Sequence, residues 1–240
     1  MLLRLQNSVA SMRAMMRQQE RVANNLANVN TVGYKRDRTF TEALNEHLDE
    51  EGAPRSERRT DQWADHVQGA LESTGNPLDV ALDGEGFFVF SNEETEAVRY
   101  TRAGRLTLDN EGTLRDLSGW AIEGEGGPIQ IPPTGGPIEI SRNGEVSVDG
   151  QTVGSLKVVT FEDPLQLRRL DGAAFDAGAL EPEPVENPVV LQKYYEASNV
   201  DPIREMTDMI TFYRQFESHQ KMMHTTDQIL SAVTRSLGRF

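Results

Sequence analysis

Four histidines and many carboxylates are the residues with which this chain could bind a metal ion or catalyse a reaction. His219 and His224 are five positions apart, so on a helix they face different ways and do not form the i, i+4 pair of a helical metal site. His47 and His66 add no metal-binding spacing to this pair. We therefore expect structural or surface roles for all four histidines and no metal site.

Two further patterns resemble fragments of catalytic or binding motifs. The run DGEGFF at 83–88 has a Gly-x-Gly, but it lies between strand-like segments and lacks the third glycine and the following helix of a dinucleotide site. Residues 109–112 fall short of a calcium loop, and the pair Glu123 and Glu125 is expected by chance in so acidic a chain. GxSxG, P-loop and HExxH motifs are absent from the sequence. We expect no catalytic residue, no cofactor and no enzymatic activity.

The amides of an asparagine-rich run are a more specific signal. The run NNLANVNTVGYKR at 24–36 places four asparagines in seven positions, namely Asn24, Asn25, Asn28 and Asn30. Amide side chains both donate and accept hydrogen bonds, so they can cap a helix end or bond to adjacent backbones, and Gly33 lets the chain turn out of the helix. One asparagine suffices for a cap. We therefore favour bonding between subunits, with simple C-capping as the alternative.

The run follows a segment with the apolar spacing of a helix. Apolar residues alternate at intervals of three and four with one polar break, at Leu2, Leu5, Val9, Met12, Met16, Gln19, Ala23 and Leu26. This spacing is the seam of a coiled coil and predicts one amphipathic helix over residues 2–28.

A second apolar stripe with helical spacing lies near the other end of the chain. It comprises Met206, Met209, Ile210, Tyr213, Phe216, Met223, Ile229, Leu230, Val233 and Leu237. The stripe predicts a helix over residues 201–237, with Asp201 as its N-cap and Pro202 in its first turn, where a missing N–H costs nothing. Ser198 or Asn199 is the alternative cap.

Between the helices the pattern changes to short segments rich in Val, Ile, Phe and Thr, separated by Gly and Asn. This pattern is typical of antiparallel strands, with the clearest hairpin turns at Asn143-Gly144 and at Asp109 to Gly112. The predicted fold class is α+β, mainly β: long N- and C-terminal helices form a coiled-coil-like stalk, and an antiparallel β domain is central. The predicted domains are a stalk of 1–36 and 198–240, a connector of 37–72, a β domain of 73–180 and a return linker of 181–197.

The composition restricts the classes of partner. The 240 residues carry a formal net charge of −14, which repels nucleic acid phosphates and anionic lipid, so we expect neither nucleic-acid binding nor direct membrane insertion. Cysteine is absent, so a disulfide framework and a thiolate metal site are excluded. Arg4, Gln6, Asn7 and Arg13 interrupt the N-terminal apolar segment, and we expect no cleaved signal peptide.

The two predicted helices have more apolar surface than a two-helix stalk can bury. Roughly eight seam side chains contribute ~1.5 to 3 kcal/mol each, whereas ordering about sixty residues costs ~1 to 2 kcal/mol per residue. We therefore expect the helices to be ordered by neighbouring subunits in a bundle. The expected assembly interface consists of Leu5, Val9, Met12, Met16, Asn24, Asn25, Leu26, Asn28, Val29, Asn30, Gly33, Tyr34, Ser198, Asn199, Val200, Met206, Ile210, Tyr213, Phe216, Met223 and Leu230.

These residues carry a resemblance to a known family. The run ANNLANVNTVGYKR at 23–36 resembles the N-terminal signature of the flagellar rod and hook family of bacterial axial proteins, and YYEASNVDPIREMTDMI at 194–210 resembles its C-terminal signature. The segments PLDVALDGEGFFVF and YTRAGRLTLDNEGTL are similar to the core shared by its rod proteins. The chain departs from the usual pattern at Asp201-Pro202 and at Leu106.

The resemblance implies a non-enzymatic subunit of the flagellar basal-body rod, a drive shaft that crosses the periplasm and transmits torque for motility. Its terminal helices would form an inner tube, its partners would be other proximal and distal rod proteins, and it would leave the cell through the flagellar type III export apparatus. Within the family, the short chain, GEGGPIQIP at 124–132 and MTDMITFYRQFESHQKMM favour the proximal rod position.

Three alternatives remain open at this point. The first is a distal rod or hook-type protein, of the same class but at another place in the shaft. The second is a secreted carbohydrate-active enzyme with a β-rich catalytic domain, and the third is a free-standing coiled-coil adhesin.

Overall fold

A computed structural model describes residues 2–43, 47–48, 54–55, 58–93, 95–133 and 136–237. The chain divides into two compact units. The terminal unit combines the N-terminal residues up to Ala27 with the C-terminal residues from Asp201 onward, and the β unit is Asn28–Val200. The predicted stalk and β-domain boundaries therefore differ from these units, because residues 28–36 and 198–200 lie in the β unit.

The terminal unit consists of two long helices, α1 (Leu2–Ala27) and α2 (Pro202–Leu237), which confirms the two predicted helices to within a residue at each end. The predicted cap of α2 is also confirmed. Asp201 Oδ1 accepts hydrogen bonds from the backbone N–H groups of Ile203 at 3.0 Å and Arg204 at 3.2 Å. Since Pro202 has no N–H to satisfy, the first turn of α2 loses no hydrogen bond to it.

The two helices contact each other, and the predicted seam of α1 is not its most buried face. The buried side chains of α1 are Val22 and Asn25, whereas the seam residues Met16 and Ala23 are exposed. On α2, Glu205 is buried. The described residues therefore do not confirm a coiled-coil stalk.

The β unit is built from short strands and one 3₁₀ turn at Pro164–Gln166. The strands are β1 (Asp37–Ala43), β2 (His47–Leu48), β3 (Pro54–Arg55), β4 (Arg58–Ala64), β5 (Leu71–Ser73), β6 (Val80–Leu82), β7 (Phe87–Ser91), β8 (Val98–Thr101), β9 (Leu106–Leu108), β10 (Leu114–Asp116), β11 (Ala121–Gly124), β12 (Gly127–Pro128), β13 (Ile138–Ile140), β14 (Glu145–Val148), β15 (Gln151–Ser155), β16 (Val158–Thr160), β17 (Arg168–Arg169), β18 (Ala174–Asp176), β19 (Glu183–Pro184), β20 (Val190–Gln192) and β21 (Tyr194–Glu196).

The largest sheet has ten strands, with the main order β17-β18-β8-β7-β11-β10-β9. β16 also pairs with β7, β19 pairs with β16, and β12 pairs with β11. A three-stranded sheet β13-β14-β15 and the pairs β1-β4, β2-β3, β20-β6 and β21-β5 complete the unit. Each of these pairings is antiparallel, which confirms the predicted antiparallel β domain.

Both predicted hairpin turns are confirmed. Asn143 and Gly144 lie between β13 and β14, where Gly144 has φ +84°, and residues 109–112 connect β9 to β10 with Gly112 at φ +81°. Glycine adopts these positive φ values without the steric cost that a side chain would add.

β7 lies between the two hydrophobic clusters of the unit. Its Phe88 and Phe90 belong to one cluster, and its Phe87 and Val89 belong to the other. Because alternate side chains of a strand point to opposite faces, the unbroken apolar run FFVF is what a strand buried on both faces requires. The first cluster is the larger and consists of Val80, Leu82, Phe88, Phe90, Leu106, Leu114, Ile122, Ile129, Ile131, Ile140, Val146, Val148, Leu156, Val158 and Val190.

The structure differs from the prediction at the expected connector and the expected return linker. Residues 37–72 contain β1 and β4, which pair along seven residues each, and residues 181–197 contain β19, β20 and β21. Strand pairing is made by backbone hydrogen bonds, which charged residues also form. An apolar alternation pattern therefore does not detect such strands.

Candidate assembly interface

One face of α2 presents large apolar side chains that stay exposed. Ile203, Met206, Ile210 and Tyr213 are between 51% and 76% exposed, and they follow one another at intervals of three, four and three residues. This spacing places them in one stripe along the helix. We call these four residues the α2 stripe. A globular helix buries such a stripe, so the α2 stripe is a surface suited to contact with another protein.

Other predicted interface residues of the terminal unit take different positions. Met12, Leu26, Phe216 and Met223 are partly buried, Asn24 is exposed, and Asn25 is buried. Leu5, Val9 and Leu230 lie in the helices, but their side chains are outside the described residues.

The remaining predicted residues lie in the β unit, where α1 is followed by a turn. Asn28 and Val29 are partly buried and Asn30 is exposed. The Thr31 hydroxyl donates to Asn28 Oδ1 at 3.0 Å, so one predicted asparagine bonds within the turn itself.

Gly33 closes this turn, as predicted. It has φ +69°, and a Cβ at this position would lie 2.3 Å from the backbone nitrogen of Ala103. Both the backbone conformation and the close approach therefore require glycine.

The structure joins the two signature segments, which are about 160 residues apart in the sequence. Gly33 N–H donates to the Glu196 carbonyl at 2.7 Å, and Asn199 N–H donates to the Tyr34 carbonyl at 3.4 Å. The Asn199 side chain adds a hydrogen bond from the Arg36 N–H at 2.6 Å. It also donates to the carbonyls of Asp65 at 2.8 Å and Val67 at 2.9 Å.

Ser198 and Val200 flank this contact. Val200 is buried, and its N–H donates to Ser198 Oγ at 3.3 Å. Neither Ser198 nor Asn199 caps α2, because Asp201 does.

A group of buried charges holds the same two segments together. Lys35 Nζ lies 2.5 Å from Glu196 Oε1, and the two side chains are 0% and 1% exposed. Glu196 Oε1 also accepts from Gly69 N–H at 2.9 Å, and Glu196 Oε2 lies 3.4 Å from the guanidinium of Arg102. We call Lys35, Arg102 and Glu196 the buried triad. Sequence reasoning missed all three, since nothing in the local pattern indicates that charges so far apart in the chain pair in the interior.

The triad shifts the ionisation of the groups around it. Burial lowers the pKa of Lys35, and the Glu196 carboxylate opposes that shift; the same two causes act on the pKa of Arg102. His66 packs against Phe87 and Phe175, with ring centroids 5.4 and 5.0 Å away.

Burial and the charge of Lys35 lower the pKa of His66 to about 4, with smaller contributions from Arg169 and Arg102 and an opposing one from the Pro164 carbonyl. His66 is therefore neutral at neutral pH. It has the structural role that was expected of the histidines.

Arg169 braces the first signature segment from another strand. Its guanidinium lies 4.4 Å from the centroid of the Tyr34 ring, 2.9 Å from Asp37 Oδ1, and donates to the Lys35 carbonyl. Tyr34 is buried. The predicted interface residues Gly33 and Tyr34 therefore make internal contacts in the β unit.

The described residues offer little that resembles a reaction centre. Over the described ranges, no three His, Asp or Glu side chains are grouped to bind a metal ion. In the same part of the chain, neither helix has a stretch that is long and apolar enough to cross a bilayer. What the described geometry provides is an exposed apolar stripe on one unit and an internally hydrogen-bonded junction on the other.

Three family models match this chain. One described as "Flagella basal body rod protein" matches residues 7–35, one described as "Flagellar hook protein FlgE/F/G D1 domain" matches residues 81–148, and one described as "Flagellar basal body rod FlgEFG protein C-terminal" matches residues 191–236. The flagellar basal-body rod protein FlgG of Agrobacterium fabrum is 32% identical and covers 91% of this chain and 93% of its own length. The chain belongs to the flagellar basal-body rod protein family.

Two further relatives support this assignment. The rod protein FlgF of Caulobacter vibrioides is 34% identical over 91% of both chains, and the rod protein FlgG of Bacillus subtilis is 31% identical over 96% of this chain and 97% of its own. The rod protein described here is accordingly a structural subunit of the flagellar basal body. Its expected partners, other rod components, belong to the same assembly.

The alignment with FlgG is longer than the alignment with FlgF. The FlgF alignment spans 225 positions and the Agrobacterium FlgG alignment spans 247, although each covers 91% of this rod protein. Compared with the FlgF relative, the FlgG relative therefore has about 22 more positions that align with no residue of this chain (247 − 225).

Proposed function

We propose that this chain is the proximal rod subunit and that it assembles with sister rod subunits through its terminal helices. The α2 stripe is the observation that supports assembly through the helices, because its four large apolar side chains remain exposed on one side of α2. On the other side of α2, Glu205 is buried. A neighbouring helix packed on the stripe would bury these side chains, and each would contribute roughly 1.5 kcal/mol or more of transfer free energy.

The proximal position is supported by the shorter alignment with FlgF. A distal rod protein usually has a longer segment after its first helix, and the FlgG relative is the one with additional positions. The distal position is the alternative. It has a specific observation in its favour, since the FlgG relative is nearly as similar as the FlgF relative.

The wider setting belongs to the same proposal. The rod crosses the periplasm, the subunit reaches it through the type III export apparatus without a cleaved signal, and the subunit catalyses no reaction. The expected contact residues of α1, including Met12, Met16 and Leu26, are part of the proposed interface together with Phe216 and Met223 of α2. The amides of Asn24 and Asn30, both exposed, are proposed to bond to neighbouring subunits.

The test of the assembly surface is the double variant Ile203→Ser/Ile210→Ser. Introduced into a strain that lacks the native gene, it should abolish swimming and leave no complete rod in purified basal bodies. The matched control is Gln215→Ser/Gln220→Ser, which changes two exposed polar residues of the same helix. Normal rods from the stripe variant would remove the basis of the proposed surface.

The position in the rod is tested by binding. The purified chain should retain other proximal rod subunits in a pull-down more strongly than hook-type subunits. Complementation of a strain lacking its distal rod protein, but not of one lacking its proximal rod protein, would support the alternative instead.

A further inference from the structure

The two segments that connect the β unit to α1 and α2 are fastened to each other inside the β unit. The backbone hydrogen bonds from Gly33 N–H to the Glu196 carbonyl and from Asn199 N–H to the Tyr34 carbonyl make a short direct contact between the two segments. Residues 28–33 lead to α1 and residues 199–201 lead to α2. The chain therefore leaves the β unit toward both helices from neighbouring segments.

The buried triad adds a contact at this point that hydrophobic packing would not require. A buried ion pair stabilises a fold little compared with an apolar pair of the same shape, because both charges lose their hydration. What it does supply is a unique arrangement, since each buried charge is costly without its partner. Lys35, Glu196 and Arg102 can therefore be satisfied together only when residue 35 lies beside residue 196.

Asn199 applies the same constraint without a charge. Its side chain bonds at once to the Arg36 N–H and to the carbonyls of Asp65 and Val67, and the Lys35 ammonium also donates to the Val67 carbonyl at 2.9 Å. Both exit segments are thus fastened to one loop, residues 65–69.

We propose that the buried triad and Asn199 act as a positioning device, a clasp that holds the two exits together so that α1 and α2 are presented to neighbouring subunits as a pair. Two segments tethered at one place meet at a high effective concentration, whereas segments on separate, mobile exits do not. This inference rests on the proposed function, because it presumes that the helices assemble together.

The principal test variant is Lys35→Met/Glu196→Gln in the full-length chain. It removes one positive and one negative charge, so the net charge of the site is unchanged, and the glutamine oxygen can still accept from Gly69 N–H, but Arg102 loses its anion. The second variant is Asn199→Ala, which leaves no buried charge unpaired. The control is Tyr195→Phe, which removes the exposed hydrogen bond between the Tyr195 hydroxyl and Glu72 at 2.5 Å, next to the clasp in the sequence.

Two measurements are made on each variant. The first is the distance distribution between spin labels on cysteines at Ala23 of α1 and Thr207 of α2, both exposed, in a chain without native cysteines. The second is the incorporation of the subunit into basal bodies. Tryptophan fluorescence serves as the check of folding, because Trp63 and Trp120 are the two tryptophans and both lie in the β unit.

For both clasp variants we expect a broader distribution of label distances and incorporation that falls by about tenfold or more, with a folded β unit, because linked segments bind at a higher effective concentration than unlinked ones. The control should match the unchanged chain. If the double variant fails to fold, Asn199→Ala decides alone.

The proposal is overturned if incorporation is normal, or if incorporation falls while the label distances are unchanged. Its failure is separable from that of the proposed function. The stripe variant Ile203→Ser/Ile210→Ser leaves the clasp intact, so normal rods from that variant contradict the proposed function alone.

Discussion

The two units of this rod protein treat their apolar side chains in opposite ways. The β unit buries Phe87, Phe88, Phe90, Phe161 and Phe175 in two clusters on either side of β7, whereas the terminal unit leaves the α2 stripe exposed. The β unit thus has a core of its own, and the large apolar side chains that it exposes, such as Val67 and Leu117, do not follow one another along a helix. Under the proposed function, neighbouring subunits cover the α2 stripe, so the difference is what a subunit of an axial assembly would need.

One ion pair from each unit gives a second comparison. Lys35 and Glu196 are buried in the β unit, while the ion pair of Lys221 and Glu217 on α2 is largely exposed, at 3.1 Å. Buried pairs are costly to break, and exposed pairs contribute little.

The largest expected effect comes from breaking the buried pair. Glu196→Leu leaves the charges of Lys35 and Arg102 buried without their anion, and we expect the free energy of unfolding of the β unit to fall by about 3 to 5 kcal/mol. Urea denaturation followed by tryptophan fluorescence measures it. Glu217→Gln is the exposed counterpart, with an expected change below about 1 kcal/mol. Similar losses for the two variants would contradict the contrast between the units.

A cavity in the core should cost nearly as much. Phe88 is fully buried, so Phe88→Ala removes its packing and should lower the free energy of unfolding by about 3 to 5 kcal/mol. The matched change in the terminal unit is Ile210→Ala, where the side chain is 56% exposed and we expect about 0.5 kcal/mol or less in the isolated chain. A large loss from Ile210→Ala, measured by far-ultraviolet circular dichroism, would mean that the stripe is already buried in the free subunit.

A smaller effect is expected from His66, which should account for most of the change with pH in the free energy of unfolding of the β unit. Its pKa is about 4 in the folded protein and 6.5 as the ordinary value, so the unfolded chain binds the additional proton between these pH values. The stabilisation is complete above pH 6.5, is lost as the pH falls toward 4, and amounts to at most about 3 kcal/mol. Urea denaturation from pH 4 to 7 should show this slope, and His66→Leu should flatten it. An unchanged slope in His66→Leu would assign the dependence to carboxylates.

The smallest expected effect concerns the start of α2. Asp201→Ala removes the acceptor for the N–H groups of Ile203 and Arg204 and should cost about 1 kcal/mol of helix stability. Amide hydrogen exchange in the first turn of α2 measures this loss, and Asp201→Asn should retain most of the protection. Equal protection in the alanine variant would show that the exit from the β unit, and not the cap, determines where the helix begins.

Much of this architecture was predictable from local pattern. Helix lengths, the Asp201 cap and the two hairpin turns depend on residues close together in the sequence, and the structure confirms them. Strands β1, β4 and β19 to β21 were not predicted, since their pairing comes from backbone groups that carry no side-chain signal.

The candidate site divides in the same way. The sequence alone determined the spacing of the α2 stripe and the need for glycine at position 33, because helical periodicity and backbone sterics are local properties. Only the tertiary structure decided that Val22 is buried and Met16 is not, that Gly33 and Tyr34 contact their own β unit, and that Lys35 meets Glu196. The physical reason is that burial and charge pairing depend on which distant segments come together, and no short stretch of sequence contains that information.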